Sequence, residues 1–212
     1  MDLLTAVGQL LGEFADRLEM EQLGPQRRRP EHAPLEYRAT HDSLTSLANR
    51  ELMDDRIQMA IQAARRSKTE IALMMIDLND FKALNDTHGH EFGDDVLREV
   101  AQRLRATVRD SDPVGRIGGD EFSVVVGDRI NAAGASILAA KICDAFRSPL
   151  TGCGGITVGL SVGVAMYPAH GEDTAQLLRS ADAAMYAAKS LPECWSVYES
   201  SMRPGRGKPS PD

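Results

Sequence analysis

An α/β fold built on one mixed, mainly antiparallel sheet is what this sequence predicts, and three features carry the expectation. The run Ile71-Ala72-Leu73-Met74-Met75-Ile76 is apolar throughout and stops at Asp77, as a strand covered on both faces would. Helical spacing of apolar residues (Leu52, Ile57, Ile61) precedes it over residues 49–66. Gly118-Gly119 sits between two short apolar stretches, the chemistry of a tight turn joining antiparallel strands.

The remaining elements follow in chain order. Helices are expected over residues 93–108, 132–146 and 174–189, and strands over 156–166 and 195–198. Within that order the run βαββαβ, after a leading helix, suggests one sheet with its helices packed mainly on one face. Near the start, Leu4, Val7, Leu11, Phe14 and Leu18 recur at a/d-like spacing, so residues 1–23 read as an amphipathic N-terminal helix about 33 Å long. Two readings of its apolar stripe stand: packing on its own domain, or pairing with a second copy. Gly24-Pro25 ends that helix, and residues 24–38, with Arg27-Arg28-Arg29-Pro30, read as a linker. Residues 39–200 then form one catalytic-sized domain, and 201–212, rich in Pro and Gly, a mobile tail.

Charge and composition narrow the function. With 24 basic against 31 acidic residues the net charge is −7, which argues against nucleic acid as a partner, because phosphate backbones are held by clustered Lys and Arg. No apolar run reaches the about 18 residues of a membrane span, so no membrane partner is expected. Cys143, Cys153 and Cys194 are odd in number and lack C-x-x-C spacing. Neither a disulfide framework nor a zinc site is therefore indicated, and a cytoplasmic location fits.

The chemistry concentrates in two segments. A Gly118-Gly119 turn projects Asp120 and Glu121 from a hairpin, and paired acids on a turn attract hard cations. An α/β sheet can bring Asp77, at the end of another strand, beside them to share a cation with a substrate phosphate. The stretch Leu78-Asn79-Asp80-Phe81-Lys82 adds backbone N–H groups and one ammonium for a polyphosphate. It is no EF-hand loop, since Phe81 and Lys82 occupy the positions that need an oxygen ligand and a glycine. A phosphate loop of the G-x-x-x-x-G-K-[ST] type is absent from the sequence, and His88 with His90 lacks the companions of a transition-metal site.

Gly118-Gly119-Asp120-Glu121-Phe122 is the signature that names the GGDEF domains, and Asp42-Ser43-Leu44-Thr45-Ser46-Leu47-Ala48-Asn49-Arg50 resembles the block that opens them. The segment from Asp77 to Lys82, followed by Asn85-Asp86, Gly89-His90 and Gly93-Asp94, is similar to the family's metal-and-guanine segment. Two later blocks fit as well, Leu160-Ser161-Val162-Gly163-Val164-Ala165 and the stretch from Ala181-Asp182 through Tyr186 to Lys189. The chain thus resembles the GGDEF diguanylate cyclase family over residues 39–198. That resemblance implies a nucleotide-cyclase and polymerase-palm-like fold, condensation of two GTP into cyclic di-GMP with loss of pyrophosphate, and a homodimer in which each domain holds one GTP. It implies Mg²⁺, with Mn²⁺ as an alternative, held by Asp77, Asp120, Glu121 and the Leu78 carbonyl. It makes Asp120, Glu121 and Lys82 catalytic. Substrate contacts fall on Asn85, His90, Asp94, Phe81, Lys189, Gly118 and Gly119. For Asn85 and Asp94 the chemistry agrees, because guanine offers an N–H donor pair that adenine lacks.

Two further features qualify the implied activity. After Lys189 the family continues x-x-Gly-Arg-Asn, whereas this chain has Pro192, Glu193 and Cys194. A phosphate-supporting arginine is thereby replaced by a carboxylate, which keeps open a catalytically weak module that binds GTP or cyclic di-GMP as a receptor. Arg109 and Asp112 match the family's inhibitory product site, where Arg can donate to guanine O6 and N7 while Asp accepts from its N–H groups.

Overall fold

A computed structural model describes residues 35–127 and 130–202. The helix expected over residues 1–23, most of the linker and the tail from 203 lie outside the described residues. A short helix α1 (Leu35–Thr40) begins inside the stretch expected to be linker. The compact unit that starts at Ala39 carries every described strand.

Strand β1 (Ile71–Leu78) is buried at all eight positions, because it lies in the middle of a five-stranded sheet of order β2-β3-β1-β4-β5. Its neighbours β3 (Glu121–Val126) and β4 (Leu160–Tyr167) run antiparallel to it. β2 (Val114–Gly118) pairs antiparallel with β3, and β5 (Trp195–Val197) alone runs parallel, beside β4. The expected mixed, mainly antiparallel sheet is what forms. Strand β4 starts at Leu160 rather than at 156, since Ile156 makes only an isolated bridge to Leu150.

Helices pack around the sheet and cover both of its faces, where the element order suggested mainly one. Ile71, Leu73 and Met75 pack with Met53, Ile57 and Ile61 of α2 (Arg50–Ser67) and with Leu177, Ala181 and Met185 of the helix over Thr174–Ala188. Ala72, Met74, Ile76 and Leu78 pack instead with Val96, Val100 and Leu104 of α4 (His90–Thr107) and Ala139 and Ile142 of α5 (Ala132–Ala145). The continuous apolar run of β1 is the sequence trace of this double cover: alternate residues face opposite cores, so no polar position interrupts it. The helix over Thr174–Ala188, α6, lies directly on β4, for a Cβ at Gly163 would collide with the α6 backbone at Ala181 and Met185.

Caps fix where the helices begin. Asn49, Asn131 and Asp173 each accept a hydrogen bond from the backbone N–H three residues on, at Leu52, Gly134 and Gln176. Besides α1, a second helix lies outside the sequence expectation, α3 (Phe81–His88), which follows β1 directly. The cysteines also depart from expectation: Cys143 on α5 and Cys194 before β5 pair as a disulfide with Cα atoms 6.4 Å apart, leaving Cys153 as a buried free thiol. Their 51-residue separation carries no local motif, and only the packing of α5 against the sheet edge brings them together.

Candidate active site

Three acids stand at the strand end where β1 meets the β2–β3 hairpin. Asp77 is the penultimate residue of β1 and stands directly opposite Glu121, the first residue of β3. Side chains so opposed lie on one face of the sheet a few ångströms apart, and like charges there repel. Asp120 occupies the turn just before, and its carbonyl accepts the Leu78 N–H at 3.2 Å. The turn depends on Gly119, whose φ of 53° lies in the left-handed region, and a Cβ there would meet nothing, so only backbone conformation selects glycine.

Arg116 holds this turn in place. Its Nε and Nη2 both donate to the Gly119 carbonyl, at 2.9 and 2.8 Å, while Nη1 donates to Asp42 Oδ1 and Oδ2 at 3.1 and 3.2 Å. Asp42 in turn accepts from the Thr45 N–H at 2.8 Å and its hydroxyl at 2.6 Å. Burial alone would raise the Asp42 carboxyl, but the Thr45 hydrogen bonds and the Arg116 charge outweigh it and hold the group below its ordinary value. The opening block and the hairpin are thereby tied to each other. Sequence reasoning did not foresee the Arg116–Asp42 pair, because 74 residues separate its members.

Asp77 is 4% exposed and meets the Lys189 ammonium, Nζ to Oδ2 2.6 Å. Lys189 caps the C-terminus of α6, so the helix delivers its cation to the strand end. Asp182, about two turns back on α6, feels both groups. Burial pushes its carboxyl up, the Asp77 charge adds to that, and Lys189 opposes it. Behind the strand, the Asn79 N–H donates to the Gly159 carbonyl (2.9 Å) and Asn79 Oδ1 accepts from the Ser161 hydroxyl (2.9 Å), fixing the β1–α3 connection against β4.

The other predicted residues line α3 and α4. Phe81 is buried at the start of α3, and Lys82 beside it is exposed. Asp80 starts the helix in the left-handed region (φ 56°) without a side-chain cap. Asn85 Oδ1 is buried without a hydrogen-bond partner, and a Cβ on Gly93 would collide with it, so the α3–α4 crossing is built around that bare acceptor. Asp94 is half-buried on α4, and His90, the first residue of α4, is exposed. Arg109 is exposed while Asp112 is buried, and the pair is tied through backbone: the Arg109 N–H donates to Asp112 Oδ2 at 3.3 Å, and the Asp112 N–H to the Arg109 carbonyl at 3.0 Å. Burial pushes the Asp112 carboxyl up, with the Arg109 N–H and charge opposing.

Among the described residues no group of three or more acidic, His or Cys side chains forms a ready-made metal cage. The donor set nevertheless suits Mg²⁺, which is held by one or two carboxylates with substrate phosphates completing its shell. A lysine ammonium already stands as the cation on Asp77.

A mixed sheet with an acid pair across its central strands and a third acid on the adjoining turn is a palm-like arrangement. The family model described as "Diguanylate cyclase, GGDEF domain" matches residues 39–193, and the chain belongs to that family. The chain is 39% identical over 188 residues to diguanylate cyclase TpbB of Pseudomonas aeruginosa, covering 88% of this chain and 42% of that protein. It is 43% identical over 166 residues to the bifunctional diguanylate cyclase/cyclic di-GMP phosphodiesterase MucR of the same species, covering 77% of this chain and 24% of that one. The chain therefore spans less than half the length of these curated relatives. Among solved structures, the GGDEF domain of TpbB matches with TM-score 0.71 at 38% identity, over 75% of this chain and 94% of that one. The GGDEF domain of DgcB from Caulobacter crescentus in complex with c-di-GMP matches with TM-score 0.66 at 31% identity, over 76% and 95% of the two chains. No described helix is long and apolar enough to cross a membrane.

Proposed function

We propose that this chain is a diguanylate cyclase that joins two GTP molecules into cyclic di-GMP and releases pyrophosphate. The observation that carries the reading is the acid set: Asp77 opposite Glu121, with Asp120 on the turn that Arg116 anchors. A receptor that only bound nucleotide would have no use for three acids at one strand end. Asp77, Asp120, Glu121 and the Leu78 carbonyl would hold Mg²⁺, with Mn²⁺ as a substitute. When bound, the metal supplies charge neutralisation at the phosphates and lowers the pKa of the attacking 3′-hydroxyl.

The chain's own residues divide the remaining work. Asn85 Oδ1, a buried acceptor without a partner, suits the N–H donors of guanine, and half-buried Asp94 on the next helix suits the same edge. Phe81 supports that pocket from the core, and His90 adds a polar contact at its rim. Gly118 and Gly119 leave room for the phosphates beside the turn, where Lys82 and Lys189 supply ammonium groups. Asp120 accepts the proton of the 3′-hydroxyl, so in-line attack on the α-phosphorus of a second GTP can expel pyrophosphate. One domain holds one GTP, so two copies must face each other with two-fold symmetry for the ring to close. Arg109 and Asp112 are the proposed product site through which cyclic di-GMP slows its own synthesis.

A second reading, a weakly catalytic receptor, draws on Pro192, Glu193 and Cys194 after Lys189, where a carboxylate replaces the supporting cation. Asp120→Asn separates the two. The cyclase reading expects cyclic di-GMP formation from GTP to be lost with the melting temperature unchanged, because the glycines set the turn. Equal product from parent and variant would overturn it.

A further inference from the structure

Lys189 ends α6, where helix carbonyls favour a cation, yet its ammonium extends to the end of β1 and lies 2.6 Å from Asp77 Oδ2. The two partners are unequally placed: the Asp77 side chain is 5% exposed and the Lys189 side chain 43%. The carboxylate is fixed by its strand, whereas the ammonium rides on a flexible four-carbon stem open to solvent. Glu121 stands opposite Asp77, so the strand end carries two negative charges on one face and favours any cation that reaches it.

We propose that Lys189 is a resident counter-ion of the metal-free site, which a divalent metal must displace from Asp77 and which an incoming triphosphate draws away. The inference deepens the proposed function and rests on its reading of Asp77 as a metal ligand. Without nucleotide, ammonium and metal compete for one carboxylate, so metal alone binds weakly. With a triphosphate present, Lys189 finds phosphate oxygens as new partners, Asp77 is released, and metal binding no longer costs an ion pair. Metal and nucleotide therefore favour each other's binding, and by linkage the effect is reciprocal. Such a device offsets the Asp77 charge in the metal-free state and reserves metal for the nucleotide-bound state.

The test is Mn²⁺ binding to the full 212-residue chain, followed by electron paramagnetic resonance of the free ion, in the parent, Lys189→Met and Lys189→Gln. Both substitutions fall on a partly exposed side chain at a helix end, and thermal melts verify that they fold. Without nucleotide, both variants are expected to bind Mn²⁺ about fivefold tighter than the parent, the lower edge of ordinary coupling. With a GTP analogue carrying a methylene between its α- and β-phosphorus atoms, saturating Mn²⁺ should raise nucleotide affinity more in the parent than in either variant. If the variants bind Mn²⁺ alone no tighter than the parent while Asp77→Asn still abolishes binding, Lys189 is no competitor and the inference is overturned with the metal site intact. If no protein binds Mn²⁺ with or without the analogue, the metal reading of Asp77 fails and this inference fails with it.

Discussion

Breaking the Arg116–Asp42 pair should loosen the catalytic hairpin without replacing any residue assigned to the substrate. Arg116 is 13% and Asp42 22% exposed at the side chain, so the pair is sheltered and its hydrogen bonds are charge-assisted. Hydrogen bonds to charged groups of this kind contribute about 1.5–3 kcal/mol. Asp42→Asn keeps the shape and removes the charge, so a loss of about 2 kcal/mol is expected, which for a domain of this size lowers the melting temperature by about 4–8 °C. A double-mutant cycle with Arg116→Met should return a coupling of about 1–2 kcal/mol. Acid unfolding gives a second reading of the same pair. The folded Asp42 carboxyl is held below its ordinary value of 3.8, so its contribution is present in full above that pH and is lost as pH falls through the lowered folded value. The stability gap between parent and Asp42→Asn should therefore close below pH 3.8. Because Arg116 ties Asp42 to the Gly119 carbonyl, turnover at saturating GTP should fall about tenfold or more, as small misplacements of catalytic groups do. A coupling below about 0.5 kcal/mol, or a variant with parental turnover, would refute the claim that this pair positions the hairpin.

Three other outcomes are expected. Gly93→Ala gains about 1 kcal/mol of helix propensity but drives Asn85 from its place, so KM for GTP should rise about five- to tenfold with little change in melting temperature; an unchanged KM would detach Asn85 from base recognition. Thiol titration in denaturant should find one free cysteine, Cys153, before reduction and all three afterwards; three at the outset would show that Cys143 and Cys194 are not joined. Arg109→Ala should leave initial turnover near parental while removing the slowing caused by added cyclic di-GMP; equal slowing in both proteins would dismiss Arg109 and Asp112 as the product site.

What could be read from the sequence follows physical strength of signal. The apolar run 71–76 announced β1 because a central strand is covered on both faces, and Asn49, Asn131 and Asp173 mark helix starts that a reader of caps can find. Helix α3 escaped notice since it enters from a left-handed Asp80 without a cap and buries only Phe81, so no apolar stripe marks it. The opposite placement of α2 and α4 across the sheet was equally hidden, for an amphipathic helix states that it has a buried face and not which side of a sheet receives it. At the site, the acids were legible as motif residues. Their cross-strand register, the Lys189 contact to Asp77 and the Arg116 clamp were not, because each joins segments that only the sheet brings together.

The most direct test of the account is to incubate the purified chain with GTP and Mg²⁺ and identify products by mass spectrometry. The account predicts cyclic di-GMP and pyrophosphate, with a rate per chain that rises with protein concentration because two half-sites must meet. A folded chain that binds GTP yet forms no cyclic di-GMP at any concentration, with Mg²⁺ or with Mn²⁺, would contradict it.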